Sequence, residues 1–359
     1  MTPFNILLTG PTGYIGGSVL SALLRHPRLD EFNITVLVQP EVEPSRFGAV
    51  RHVVPVVGSH DDYTLLKSLA SQADVVISCA DADNLTAAKA ILGGLKQRHQ
   101  DSATVPILIH TIALAVLIDD ARGDYVSDRI NSDFNLHQLE SLPHTQPYRE
   151  VDTAITDASE EGTICQLVTL NLNIHNCSGY VKTCIIAPGL VYGIARTRLV
   201  SLGVQNPRSE QIRAIVDAGI DRRQGGVIGK GLNVWSHVHI EDLVCLYMHI
   251  FDAAICSCRL YVGRNGIYFA ESGECELGEI FQVVAKELSA RGCGTSRPTV
   301  FTRAEMEKYT FTRMMGANAH ARGERSRSIG WKPVHGMRSM LESIRDEVAA
   351  SMDAMGANL

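Results

Sequence analysis

The sequence predicts an α/β protein, a doubly wound parallel sheet that carries a smaller, mixed lobe at its C-terminal end. Apolar runs and helical stretches alternate through the first half of the chain, the order that builds βαβ units with right-handed crossovers. The apolar runs lack strict alternation, as do strands covered on both faces. Beyond Pro188 the regular order gives way to short strands and amphipathic helices in mixed succession.

The first element is the run Phe4 to Thr9, followed by Gly10-Pro-Thr-Gly13-Tyr-Ile-Gly16-Gly17 and an apolar helix from Gly16 to about Arg25. Strand, glycine turn and helix in this order make the phosphate-binding corner of a Rossmann-like fold. Gly10 serves the tight turn, Gly13 the approach of a pyrophosphate to the backbone, and Gly16 the close packing of helix on strand. The helix N-terminus adds free N–H groups and the positive end of a dipole. Candidate cofactor contacts at the corner are Gly10, Thr12, Gly13, Tyr14, Ile15 and Gly16.

Further strands are expected at Ile34–Val38, Val53–Val57, Val75–Ser78 and Ile107–His110, with helices at about Asp61–Ser71 and Asn84–Arg98. Strand two runs out at Gln39-Pro40, where an acidic residue would bind the adenosine ribose of NAD. Gln39 is neutral and accepts NAD or NADP, while Arg46 is placed to meet a 2′-phosphate or to lie in a solvated loop. Asp61 either approaches the adenine or caps the next helix. Ala80 follows strand four and His110 closes strand five, so both fall on the cofactor side of the sheet; His110 also reads as a satisfied buried histidine. A weak helix is expected around Ile130–Leu142 and a better one over Tyr148–Glu161. After Pro188 a strand over Asn233–His239 and a helix over Glu241–Asp252 are expected. Short strands at Leu260–Val262 and Gly266–Ala270 and helices at Glu276–Arg291 and Met337–Met352 complete the chain. The domain reading is 1–187 for dinucleotide binding and 188–359 for a substrate-side lobe that shares strands with the first. Residues 163–180 carry no Asp, Glu, Lys or Arg and no turn chemistry, and read as an insertion or a translated retained intron.

At 359 residues with 45% hydrophobic and 20% charged side chains, the composition is that of a globular protein with a sizeable core. A net charge of −6 gives no reason to expect nucleic acid or an anionic membrane as partner. No apolar run reaches membrane-spanning length, and a strand beginning at about Phe4 leaves no room for a signal peptide. Nine cysteines without paired Cys-x-x-Cys spacing suggest reduced, mostly buried thiols and a cytoplasmic location.

The glycine spacing with Thr9 before it and Tyr14-Ile15 inside it resembles the extended short-chain dehydrogenase/reductase superfamily. The epimerase/dehydratase branch is the nearest, with fungal NmrA-like proteins among the relatives. Asp74–Ala80, Ala187–Gly193, Val238–Leu243 and Gly330–Pro333 extend the resemblance over most of the chain. It implies NAD or NADP as cofactor, with Pro188 beside it, and a small-molecule substrate under the C-terminal lobe. It also implies a tyrosine and, four residues on along the helix after strand five, a lysine that lowers its pKa. Tyr148 stands in the tyrosine register, but Asp152 replaces the lysine. Ile112 stands where a serine is expected, so Thr111 is the available hydroxyl. Tyr148 and Thr111 are the catalytic candidates, and Tyr192 and His237 lie on segments lining the substrate side. His237 and His239 share a strand face without a third ligand, so no metal is expected. Two classes fit: an NAD(P)-dependent oxidoreductase or epimerase-like enzyme on a carbonyl or alcohol, or a non-redox NAD(P)-binding protein, either an NmrA-type sensor or a lyase or isomerase.

Overall fold

The computed structural model describes residues 3–41, 44–161, 179–256 and 258–356. The first half runs β1 (Phe4–Thr9), α1 (Tyr14–Leu23), β2 (Phe32–Val38), β3 (Val53–Val57), α2 (Tyr63–Ala70), β4 (Val75–Ser78), α3 (Leu85–Ser102) and β5 (Ile107–Thr111). Then come β6 (Asn131–Ser132), α4 (Leu136–Glu140), α5 (Arg149–Ala158), β7 (Lys182–Pro188), β8 (Leu190–Tyr192), α6 (Arg198–Ser201) and α7 (Glu210–Asp221). The remainder is β9 (Gly226–Val227), β10 (Val234–His239), α8 (Ile240–Ile255), β11 (Ile267–Ala270), β12 (Gly273–Glu276), α9 (Leu277–Ala290) and β13 (Thr299–Val300), followed by α10 (Arg303–Lys308), α11 (Phe311–Met315), β14 (Ala321–Arg322), α12 (Glu324–Ser328) and α13 (Met337–Gly356).

Seven parallel strands form the main sheet in the order β11-β7-β5-β4-β1-β2-β3. The order reverses between β1 and β4, and in open α/β sheets such a switch point opens a crevice at the carboxyl ends of the strands. Register aligns those ends: Thr9 pairs with Ser78, and Ser78 with His110. One core lies between the sheet and α1 and α8, with Leu20, Ile77, Ile109 and Tyr247. Another lies under α2, α3 and α5, with Leu66, Leu95, Val151 and Ile155. A third, around Trp235, Phe281 and Ile344, fills the C-terminal lobe. Burying each such aliphatic or aromatic side chain stabilises the fold by about 1.5–3 kcal/mol. β11 comes from beyond residue 188 yet completes the main sheet beside β7.

Several expectations are corrected. The stretch 130–142 is not one helix: Asn131 and Ser132 pair with Ala321 and Arg322, and the Asp133 carboxylate accepts the Phe269 and Arg325 N–H groups. Those distant bonds hold the segment extended until Asn135 caps α4. Residues 260–262 form no strand; the Tyr268 hydroxyl bonds both the N–H and the carbonyl of Tyr261, replacing a ladder. The first helix opens at Tyr14 rather than Gly16. Asp62, not Asp61, caps α2, accepting from the Leu65 N–H at 2.9 Å. Among the described residues the thiols are not mostly buried, since Cys245, Cys256 and Cys258 are exposed. The unusual stretch 163–180 lies outside the described residues up to 178. At its end Tyr180 is buried in the α3/α5 core with Lys96 over its ring.

Candidate active site

The glycine corner is assembled by contacts that leave no room for side chains. Gly10 takes φ +73, and a Cβ on Gly16 would stand 2.1 Å from the Gly10 carbonyl oxygen. Gly13 differs: its φ is −75, and an added Cβ would meet only the Gly10 oxygen, at 3.4 Å. The space over Gly13 is open. α1 has no side-chain cap and no acid in its first turn, so its leading N–H groups stay available to an anion. This cradle fits a dinucleotide pyrophosphate.

Two residues that sequence reasoning missed hold the corner from outside. Gln205 donates to the Tyr14 carbonyl at 3.1 Å and to Ser18 Oγ at 2.8 Å, and the Asn206 N–H donates to the Thr12 carbonyl at 2.8 Å. They lie far along the chain in a loop without motif chemistry, so nothing local signals them. The Tyr14 hydroxyl donates to the Gly193 carbonyl, and burial pushes its pKa well up. Tyr14 is therefore an internal tie to the lobe, leaving its backbone to face a ligand. Thr12 and Ile15 are half-buried at the corner.

Along the rim, Gln39 is exposed beyond β2, and Ala80 is half-buried beyond β4. Asp61 is exposed and accepts from Asn84 Nδ2 at 3.2 Å, so with capping left to Asp62 its carboxylate faces the rim. Arg46 donates to the Gly203 carbonyl at 3.3 Å. His110 is buried, bonded to the Ala82 carbonyl at 3.4 Å, and burial lowers its pKa to about 4, so it is a neutral, satisfied histidine. Pro188 ends β7, paired with Ala270.

The two catalytic candidates are not brought together. Thr111 Oγ1 bonds the Tyr247 hydroxyl at 2.5 Å and lies 3.5 Å from Cys79 Sγ, inside the core facing α8. Tyr148 packs against the α3/α5 core and the lobe core. On that face the β5 end offers Ile112, buried and without a hydroxyl. Tyr148 is the N-cap of α5, in the left-handed region at φ 64. Burial raises its pKa first, and the charges of Asp83 and Glu210 add to the rise. One charge comes from the loop after β4 and the other from α7, so the phenol stands where cofactor rim and lobe converge.

Asp152 does not act on Tyr148 in the way its position in the chain implies. Its buried carboxylate is paired with Arg149 Nη1 at 2.7 Å, and burial outweighs that pair to hold its pKa up at about 6. Tyr192 is wholly buried, and its hydroxyl donates to the Gly336 carbonyl at 3.0 Å. His237 is buried beside it, its ring 5.5 Å away, and burial lowers its pKa to about 4. The Asp242 carboxylate, in the first turn of α8, accepts the Val334 and His335 N–H groups, while His239 caps α8.

No family model matches the chain. A curated oxidase of an Acremonium species, ucsJ, is 26% identical over 348 residues, covering 92% of this chain and 93% of that protein. Among solved structures, the UDP-glucose 4-epimerase of Thermotoga maritima with UDP-glucose superimposes with a TM-score of 0.61 at 13% identity, over 97% of this chain and 100% of its own. The dTDP-glucose 4,6-dehydratase of Streptomyces venezuelae with NAD bound gives 0.63 at 15% identity, over 98% of both chains. The chain has the fold of the NAD-dependent epimerases and dehydratases, over nearly its whole length. Among the described residues, no helix is long and apolar enough to cross a membrane.

Proposed function

We propose that this chain is an NAD(P)-dependent oxidoreductase of short-chain dehydrogenase type, acting on a small organic carbonyl or alcohol. The open space over Gly13, framed by uncapped N–H groups, carries the reading. The likenesses to an oxidase and to an NAD-bound dehydratase support it. The leading N–H groups of α1 would hold the pyrophosphate, and Asp61 and Gln39 would face the adenosine, with Gln39 compatible with NAD or NADP. A nicotinamide bound there supplies or accepts a hydride.

Tyr148 is the proton-bearing group. Burial and two facing carboxylates keep its phenol protonated, which suits donation to a carbonyl oxygen during reduction better than removal of an alcohol proton. Thr111 is left out of the chemistry because its hydroxyl is engaged with Tyr247. The second reading, a non-redox NAD(P)-binding sensor, lyase or isomerase, is favoured by Asp152 in the place of the expected lysine, its carboxylate paired with Arg149.

Titration of the folded protein with NAD, NADH, NADP and NADPH tests the binding reading, and no binding of any of the four would end it. A carbonyl panel separates the two classes. On a substrate so found, Tyr148→Phe should lower kcat about a hundredfold and leave dinucleotide affinity unchanged. Full activity in that variant would remove Tyr148 from the reaction.

A further inference from the structure

Three side chains that the proposed chemistry does not use meet where β10, α8 and the segment before α13 join. His239 ends β10, Glu241 lies in the first turn of α8, and His335 precedes α13. One imidazole nitrogen or carboxylate oxygen from each lies within 4.8 Å of those of the other two. We propose that this trio is a binding site for a divalent transition cation of the zinc class. The set of two imidazoles and one carboxylate is the donor chemistry such cations take, with a fourth position left to water.

The surroundings support the assignment independently of the spacing. His335 is oriented from behind: its Nδ1 is 3.2 Å from Asp242 Oδ2, and that same oxygen fixes its backbone N–H at 2.9 Å. A carboxylate on Nδ1 sets the tautomer that leaves Nε2 with its lone pair, the arrangement found behind metal-bound histidines. His335 Nε2 is 3.9 Å from Glu241 Oε2, so a modest rotation of the exposed Glu241 side chain closes the gap around an ion. The His239 and His335 rings stack with centroids 4.0 Å apart and His239 Nδ1 accepts the Glu241 N–H at 3.3 Å, so the His239 ring must turn out of the stack to present a lone pair to the ion. The trio opens on a cleft of about 710 Å3 whose wall carries the carboxylates Glu241, Glu287, Glu342 and Asp346 against the guanidiniums of Arg196 and Arg345. The cleft leaves room for the water ligand.

A bound ion would join the end of β10 to the segment that leads into α13, adding to the Asp242 and Tyr192 hydrogen bonds that hold it. The test uses the full-length protein, stripped with a chelator and dialysed, then titrated with Zn2+ by calorimetry and with Co2+ by visible absorption. The expected result is one ion per chain, d–d bands of a four-coordinate Co2+ site with nitrogen and oxygen ligands, and a rise in Tm on adding Zn2+. Glu241→Gln, at an exposed side chain that does not threaten folding, should weaken binding at least tenfold. His335→Ala should abolish it, and Asp242→Asn should weaken it about tenfold through His335 alone. Absence of binding to the wild type overturns the proposal. So does binding that survives both Glu241→Gln and His335→Ala, or a Co2+ spectrum dominated by thiolate charge transfer from the exposed cysteines.

Discussion

The glycine corner and the Tyr148 end of the cleft stand on one rim of the sheet but are held by different means. At the corner the backbone rests on itself, with Gly16 against the Gly10 carbonyl and the Thr12 and Tyr14 carbonyls tied to Asn206 and Gln205. At α5 a side-chain ion pair does the holding: the buried Asp152 carboxylate is matched by the arginine three residues before it. A backbone device admits little substitution and carries no ionisable group. A side-chain device tolerates replacement of one member, but its strength follows pH.

The sharpest way to break that comparison lies within the corner. Gly16→Ala should cost at least about 3 kcal/mol, because the new methyl overlaps backbone rather than a flexible side chain. Gly13→Val should cost only about 1 kcal/mol as a poorer N-cap, yet reduce dinucleotide affinity more than a hundredfold. Thermal melts with binding titrations on both variants decide it; equal destabilisation would mean that the corner does not distinguish packing from ligand approach.

The next effect belongs to α5. Burial raises the folded pKa of Asp152 from the ordinary carboxylate range to about 6, so its burial weakens the fold as pH rises through that window. Removing the arginine in Arg149→Met takes away a stabilising partner of the charged form only. The variant should lose about 3 kcal/mol at pH 8 and much less at pH 5, where Asp152 is neutral in the fold. A pH-independent loss, read from denaturant melts at the two pH values, would show that Arg149 acts by packing rather than by charge.

The smallest effect is at Thr111. Thr111→Val removes one buried hydrogen bond to Tyr247 and should cost about 1 kcal/mol, with cofactor affinity and any Tyr148-dependent turnover unchanged. A tenfold fall in kcat would return Thr111 to the reaction.

The contrast also explains what could be read from the chain itself. The corner is contiguous, and its geometry depends on which residues lack a Cβ, so Gly10, Gly13 and Gly16 announce it within seven positions. The parallel sheet was legible for a related reason, since apolar runs and helices alternate locally. The active end was legible only as positions. That Tyr148 heads the helix could be read; that Arg149 would claim Asp152 required knowing which side chains turn inward. Thr111 and Ile112 show the limit most plainly, because a strand sends neighbours to opposite faces and the hydroxyl fell on the face away from Tyr148. His237 falls on the expected strand and Tyr192 on β8, for which no strand was expected, and their hydrogen bonds reach Ser272 and Gly336, far along the sequence. Glu241 and His335 could not be linked at all without the fold.

The position of β11 has a consequence for how the molecule is made. On the ribosome, β7 emerges long before Ile267–Ala270, the strand that covers its outer edge. Until then the nascent sheet ends in an unpaired row of buried apolar residues, Cys184 to Ala187, an open template for pairing with another chain. At roughly 5–20 residues per second of synthesis, that edge waits several seconds for its cover. The dinucleotide half is thus topologically unfinished when its last residue is added, and a fragment ending near residue 187 would carry a sticky seam that the intact protein hides.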